Sequence, residues 1–146
     1  HVQPNGAYHY HGMPTGILTE VNKGTAMSLI GFALDGFPIY ARYGYTIPTN
    51  ASSATKVMVG SYQLKSIPSA GRPSTVTFPM GTFTQDYTYI AGSGDLDQCN
   101  GRYGVTPEFP NGIYHYFITD SYPYIQRCIM GSATALTGSP TPVIAN

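Results

Sequence analysis

PNGIYHYFI, at residues 110–118, places a tight-turn signal directly before a run of aromatic and aliphatic residues. Asn-Gly favours a short turn because both residues tolerate a positive φ angle. Ile, Tyr and Phe favour extended backbone. The segment therefore predicts a turn followed by a strand over residues 112–119. Because side chains alternate between the two faces of a strand, its two tyrosines would share one face and its histidine would occupy the other.

The same motif occurs near the start of the sequence. Residues 4–10 read PNGAYHY and residues 110–116 read PNGIYHY, so six of seven positions agree across a separation of 106 residues. This spacing is far too long for a solenoid repeat. Two strands that begin at equivalent turns and lie near each other in one sheet would account for the match.

Composition limits the classes of partner. The 146 residues suit one domain with a single core. Seven Lys and Arg balance seven Asp and Glu, and charged residues make up 10% of the chain, against about 25% in a typical protein. Seven scattered cations cannot form a basic patch. Nucleic acid and anionic membranes are therefore poor partners. A nearly uncharged surface resists self-association weakly, and the expected partners are copies of this chain or neighbouring modules of the same longer chain.

The distribution of turn and strand formers predicts an all-β fold. The chain has 17 Gly, 12 Pro and 13 Tyr, it lacks sustained helical periodicity, and no apolar run is long enough to span a membrane. We expect a single-domain sandwich or barrel-like fold with long loops. Residues 27–45 predict a buried strand, an Asp-Gly turn and an edge strand beginning after Pro38. Residues 46–75 predict a loop region with one strand.

The two cysteines, Cys99 and Cys128, predict one disulfide, with a pair of free buried thiols as the alternative. Few lysines, many Tyr, Thr and Ser residues and a glycosylation sequon at Asn50 are typical of exported proteins, in which disulfides persist. The expected location is extracellular or at the cell surface. The Pro/Ser/Thr-rich residues 132–146 predict a tail, a linker or an inter-subunit strand.

The histidines suggest a metal site. His9 and His11 would share one face of the first strand, and His115 could join them if the two matched strands are neighbours. Three neutral imidazoles suit copper or zinc. The alternative is a structural ladder of hydrogen-bonded aromatic rings. His1 is a weaker candidate, because its amine and imidazole could hold copper only if it is a true N-terminus.

Asp95 and Asp97 precede Asn100-Gly101 on a turn-rich segment. Closely spaced carboxylates on a tight loop suit calcium, although the spacing is not that of an EF-hand, and a capped structural turn is the favoured alternative. No nucleophile elbow is present, and we predict no catalytic residue. If a metal enzyme were present, Asp35 and Asp97 would be the candidate general bases.

Five blocks of the chain resemble the YHYH-domain family, in the family's order. They are GAYHYHGMP at residues 6–14, IGFALDGFPIY at 30–40, DLDQCNGRYGVTPE at 95–108, YHY at 114–116 and YPYI at 122–125. The resemblance covers about residues 1–131. It implies an exported, mostly bacterial domain that is often joined to other extracellular modules, and it implies no established activity. It also implies that an upstream part of the family pattern is missing before His1.

Three functions therefore stay open. The first is an extracellular structural or adhesive domain, such as a subunit of a self-assembling surface filament. The second is a secreted copper- or zinc-dependent enzyme or metal-binding protein. The third is a carbohydrate-binding module, in which tyrosines would stack on sugar rings.

Overall fold

The computed structural model describes residues 13–21 and 24–132, together with residues 2, 4 and 6. One α-helix, α1, spans Thr15–Val21, and a 3₁₀ helix spans Thr84–Asp86. The strands of this part of the chain are β1 Ser28–Phe32, β2 Pro38–Ala41, β3 Tyr43–Tyr45, β4 Thr55–Val57, β5 Tyr62–Leu64, β6 Tyr87–Tyr89, β7 Gly101–Gly104 and β8 Ile113–Ile118.

The largest sheet has four strands in the order β1-β2-β8-β7. β1 and β7 each pair antiparallel with their neighbours, whereas β2 and β8 are parallel. Two smaller sheets pair β3 with β4 and β5 with β6. The predicted all-β class is confirmed, and the strands that the structure describes form several sheets that do not close into a barrel.

The Asp-Gly turn joins β1 to β2 as predicted. Gly36 has a φ of 82°, a left-handed conformation that favours glycine, and the Ala33 amide donates to the Phe37 carbonyl. The expectation that the strand after Pro38 lies at an edge is wrong, because β2 is flanked by β1 and β8. Pro38 is tolerated there because it occupies the first position of the strand.

Other elements differ from the sequence-based expectations. The region 46–75 contains β4 and β5 rather than one strand, and β7 lies in a segment that was expected to be rich in turns and for which no strand was predicted. Helix α1 was not predicted. It begins directly after Pro14, a residue that favours the first turn of a helix, and the Leu18 amide donates to the Pro14 carbonyl.

The core lies on both faces of β8. On one face, Phe117 packs in a cluster with Met27, Tyr40, Met58 and Leu96. On the other face, Tyr116 packs with Ala33 and Cys99, and partly buried neighbours extend that cluster. β8 is thus the central structural element of the sheet.

The predicted disulfide between Cys99 and Cys128 is confirmed. It joins the turn before β7 to the segment that follows β8. No helix in the described ranges is both long and apolar enough to cross a membrane.

Candidate functional site

The Tyr-His-Tyr segment of β8 presents two tyrosines on one face, and each is paired with a carboxylate. The Tyr116 hydroxyl donates to Asp35 Oδ2 at 2.5 Å, and the Tyr114 hydroxyl donates to Asp97 Oδ2 at 2.7 Å. The two tyrosine rings meet edge to face, with centroids 5.2 Å apart. Burial, followed by the hydrogen bond to a carboxylate, raises the pKa of both phenols. Both therefore act as neutral donors.

Asp35 also holds the segment that follows the disulfide. Its Oδ2 accepts from the amides of Met130 at 3.1 Å and Gly131 at 3.0 Å, and its Oδ1 accepts from the Phe37 amide. Burial acts to raise the pKa of Asp35, but the hydrogen bonds from Tyr116 and the backbone outweigh it and lower the pKa. The carboxylate links the β1–β2 turn, β8 and the C-terminal end of the described chain.

Asp97 organises the turn that carries Cys99. Its Oδ1 accepts from the amides of Cys99 at 2.9 Å and Gly101 at 3.1 Å. Asn100, within this turn, is fully buried with a φ of 62° and donates its side-chain amide to the Phe117 carbonyl. Asp97 therefore caps the turn, as the structural alternative to calcium binding requires.

Asp95 contacts a different part of the chain from Asp97. Its carboxylate accepts from Lys56 Nζ at 2.5 Å and from the Val59 amide at 3.1 Å. Both carboxylates therefore have partners within the protein, and calcium binding by Asp95 and Asp97 stays a prediction. Among the described residues, no three His, Cys, Asp or Glu side chains cluster as metal ligands would.

His115 lies on the opposite face of β8 from the two tyrosines and has no solvent exposure. Its Nδ1 is 2.9 Å from the Ile113 carbonyl oxygen, so the proton sits on Nδ1 and the lone pair on Nε2. Among the described residues, Nε2 has no hydrogen-bond partner. Burial lowers the pKa of His115 to about 4, and the nearby Arg102 also lowers it against the opposing effect of the Ile113 carbonyl. His115 is therefore a neutral imidazole with one unused acceptor.

A comparison with known protein families matches most of the chain, including the Tyr-His-Tyr segment of β8. A family described as YHYH protein matches residues 1–131 of the 146. The chain belongs to the YHYH family. No curated protein and no solved structure matches it.

The rest of the predicted metal site of this YHYH domain lies outside the described residues. His1, His9 and His11 all fall there, so the copper or zinc site remains a prediction with His115 as its described member. The orientation of His115 suits a ligand, because metal-binding histidines usually donate their other ring N–H to a carbonyl or carboxylate. The adjacent Arg102 would oppose a bound cation.

The YHYH domain has a further aromatic cluster that the sequence-based reasoning missed. We define the tyrosine patch as Tyr62, Tyr87, Tyr89, Tyr122 and Tyr124. Tyr62 and Tyr89 pair across β5 and β6, and Tyr87 stacks on Tyr122 with centroids 3.8 Å apart and planes at 4°. Tyr122 also meets Tyr62 and Tyr124 edge to face.

The geometry of the tyrosine patch differs from a flat row of rings. Apart from the Tyr87–Tyr122 stack, the ring planes stand at 58° to 82° to one another. The alternation of Tyr87 with Tyr89 indicates one shared strand face, but nothing in the sequence brings the loop after β8 against it. Carbohydrate binding, which uses exposed ring faces, therefore remains an untested prediction.

A buried ion pair was also missed. Arg72 Nε and Nη2 donate to the two carboxylate oxygens of Asp86 at 2.6 and 2.9 Å, and neither side chain is exposed to solvent. The hydrogen bond from Arg72, together with backbone amides, holds the pKa of Asp86 far below its usual range against the effect of burial. This pair organises the long loop between β5 and β6.

The glycosylation candidate Asn50 lies on the surface. It is exposed in the loop between β3 and β4, and its Oδ1 accepts from the Ser52 amide. The site is accessible to modification, and its glycosylation stays a prediction.

Proposed function

We propose that this YHYH domain is an extracellular structural or adhesive domain that assembles with copies of itself or with neighbouring modules. The observation that carries the proposal is the use of its acidic side chains. Each of the six between residues 24 and 132 makes a hydrogen bond or ion pair within the chain, and they are Asp35, Asp86, Asp95, Asp97, Glu108 and Asp120.

These contacts connect distant loops rather than converging on an open cleft. Asp35 anchors residues 130–131, Asp86 fixes the β5–β6 loop, and Glu108 accepts from the buried Tyr40 hydroxyl at 2.7 Å. Asp and Glu are among the side chains that act as general acids or bases, and a carboxyl group in that role must be able to reach the substrate. Because all six acidic side chains make contacts within the chain, we infer that they stabilise the fold.

Exposed apolar side chains support an adhesive surface. Phe32 and Leu34, at the end of β1 and in the following turn, are 60% and 69% exposed. Exposed apolar side chains of this size lose their contact with water when they pack against another protein surface, which favours association. The low charge of the chain leaves little electrostatic repulsion between copies.

Light scattering across a concentration series, combined with negative-stain electron microscopy, tests the proposal. We expect oligomers or filaments that weaken in a Phe32→Ser/Leu34→Ser variant. A matched control, Val76→Ser, removes a 93% exposed side chain from a different loop and should assemble like the parent. A chain that stays monomeric at every concentration would contradict assembly with copies of itself.

A second candidate function is metal binding, which is favoured by the Nε2 of His115, since no described residue is its partner. A buried nitrogen acceptor without a partner is costly unless a ligand satisfies it. We propose copper or zinc held by His115 with His9 and His11. Protein purified without chelator should carry about one metal ion per chain, and His9→Ala and His115→Ala variants should carry none. A metal-free parent protein contradicts this candidate.

A further inference from the structure

We propose that Tyr87 and Tyr122 form an oxidative cross-linking site, at which a haem peroxidase with hydrogen peroxide produces an intrachain dityrosine bond. The proposal concerns a modification of the folded domain and stands independently of the assembly and metal proposals.

The two rings already lie in face-to-face contact. Their centroids are 3.8 Å apart and their planes differ by 4°. Radicals of two phenols combine at the ring carbons next to the oxygen, and a parallel stack at this separation holds the two rings in direct contact through their π faces. The edge-to-face Tyr114–Tyr116 pair, at 81°, lacks this alignment.

The hydroxyls of the stacked pair also differ from those of the core tyrosines. The Tyr40, Tyr114 and Tyr116 hydroxyls each donate to a carboxylate. Neither the Tyr87 nor the Tyr122 hydroxyl makes a hydrogen bond to another described residue, and both residues are partly exposed. Their phenolic protons can therefore leave to solvent when the rings are oxidised.

The reaction balances with peroxide as the only oxidant. The peroxidase removes one hydrogen atom from each phenol and reduces one hydrogen peroxide to two water molecules. The two phenoxyl radicals form a carbon–carbon bond between their ortho positions. Each coupled carbon then loses its ring hydrogen as a proton while the ring oxygen gains one, and both phenols are restored.

The product would link two elements that are otherwise joined by ring contacts. Tyr87 begins β6, and Tyr122 lies in the loop after β8. Among the described residues, no hydrogen bond joins β6 to residues 119–125. The cross-link would connect the β5–β6 sheet to the C-terminal loop, at a different place from the Cys99–Cys128 disulfide.

The experiment treats the dilute full chain with a haem peroxidase and limiting hydrogen peroxide, followed by fluorescence and peptide mapping. We expect dityrosine fluorescence in monomeric protein. We also expect a cross-linked peptide that contains Tyr87 and Tyr122 and is lighter by two hydrogen atoms. Tyr87→Phe and Tyr122→Phe should each reduce this product to background. These substitutions keep the ring stack, and circular dichroism verifies the fold.

The matched control is Tyr103→Phe, which removes a 63% exposed tyrosine that makes no ring contact with another described residue. Its yield of intrachain product should equal that of the parent. Absence of the cross-linked peptide from the folded parent, or its formation from a different tyrosine pair, would overturn the proposal. Mapping of the parent decides the question even if one variant fails to fold.

Discussion

At the residue scale, the surroundings of His115 differ sharply from those of a free side chain. It packs edge to face against Tyr40 and Phe117, pairs across the sheet with Arg102, and is fully buried. A charged imidazole would lose its hydration there and would face the Arg102 guanidinium. The neutral form is therefore strongly preferred in the folded protein.

This preference predicts a dependence of stability on pH. The pKa of His115 is about 4 in the folded chain against 6.5 for the free side chain. Between these values the unfolded chain binds more protons than the folded one, so the free energy of unfolding falls as the pH falls from about 6.5 to about 4. The expected contribution is on the order of 3 kcal/mol, measured by urea unfolding at several pH values.

The matched variant for this experiment is His115→Phe, which keeps an aromatic ring on the same face of β8. Between these pH values, the free energy of unfolding of this variant should change less than that of the parent. The difference should equal the contribution assigned to His115. The lowered pKa of Asp35 acts in a separate window, below its usual value of 3.8. Equal pH slopes in the parent and in His115→Phe would refute the assignment.

Sequence reasoning predicted the alternation of Tyr114, His115 and Tyr116 between two faces, because alternation follows from strand geometry alone. It did not predict their partners. Asp35 lies 81 residues from Tyr116 in the chain, and its position depends on how three other strands pack. The local sequence pattern predicts which face of a strand a side chain lies on, whereas the contacts of that side chain depend on tertiary structure.

At the scale of elements, the loop between β5 and β6 depends on one buried ion pair. Arg72 donates to Asp86 and to the carbonyls of Pro73 and Pro79, and it lies 5.0 Å from the Phe83 ring centroid. Asp86 in turn accepts from the Gly81 and Phe83 amides. The two side chains thus replace the regular hydrogen bonding that this loop lacks.

We expect Asp86→Asn to open this loop, because the substitution leaves the Arg72 charge buried without its counter-charge. Limited proteolysis should cut between residues 66 and 82 much faster than in the parent, and the midpoint of thermal unfolding should fall. Asp120→Asn is the control, since its pair with Arg42 is exposed and is worth at most about 1 kcal/mol. Similar cleavage rates in both variants would contradict this role.

Close packing of β7 against β8 supplies another prediction at this scale. A Cβ at Gly101 would collide with the Tyr114 hydroxyl and stand 2.8 Å from the His115 carbonyl oxygen. Gly101→Ala should destabilise the domain by about 1–3 kcal/mol in urea unfolding. Gly31→Ala, in β1, meets no atom within 4 Å and should be tolerated. Equal stability of the two variants would show that β7 can shift at little cost.

The order of the strands was less predictable than their existence. The aromatic run of β8 and the Asp-Gly turn before β2 were read from local signals, and both are present. The edge position expected for β2 was wrong because Pro38 excludes an N–H bond at its own position only. Which strand lies beside β2 is set by a distant segment that local propensity does not specify.

At the scale of the whole molecule, the Cys99–Cys128 disulfide closes a separation of 29 residues that contains β7 and β8. Its removal should lower the free energy of unfolding by roughly 3 kcal/mol, because the unfolded chain regains loop entropy. A Cys99→Ala/Cys128→Ser variant, compared with the parent with and without reductant, measures the effect. The parent in reductant should match the variant, and unchanged stability in both would contradict the prediction.

Composition predicted the pairing of these cysteines and the strand-rich class, since both follow from residue types. It could not predict the tyrosine patch, which joins β5, β6 and the loop after β8 through side chains from three separate parts of the chain. The meeting of Tyr87 and Tyr122 depends on the completed fold.

The parallel pairing of β2 with β8 has a consequence for folding kinetics. Ile39 lies opposite Tyr116, so the two central strands are separated by most of the domain along the chain. Such a distant contact forms slowly, since the intervening loop must lose its entropy first. Until β8 emerges from the ribosome, the β1–β2 hairpin has a bare edge open to misassociation. The four-stranded sheet is therefore completed only when nearly the whole domain has been synthesised.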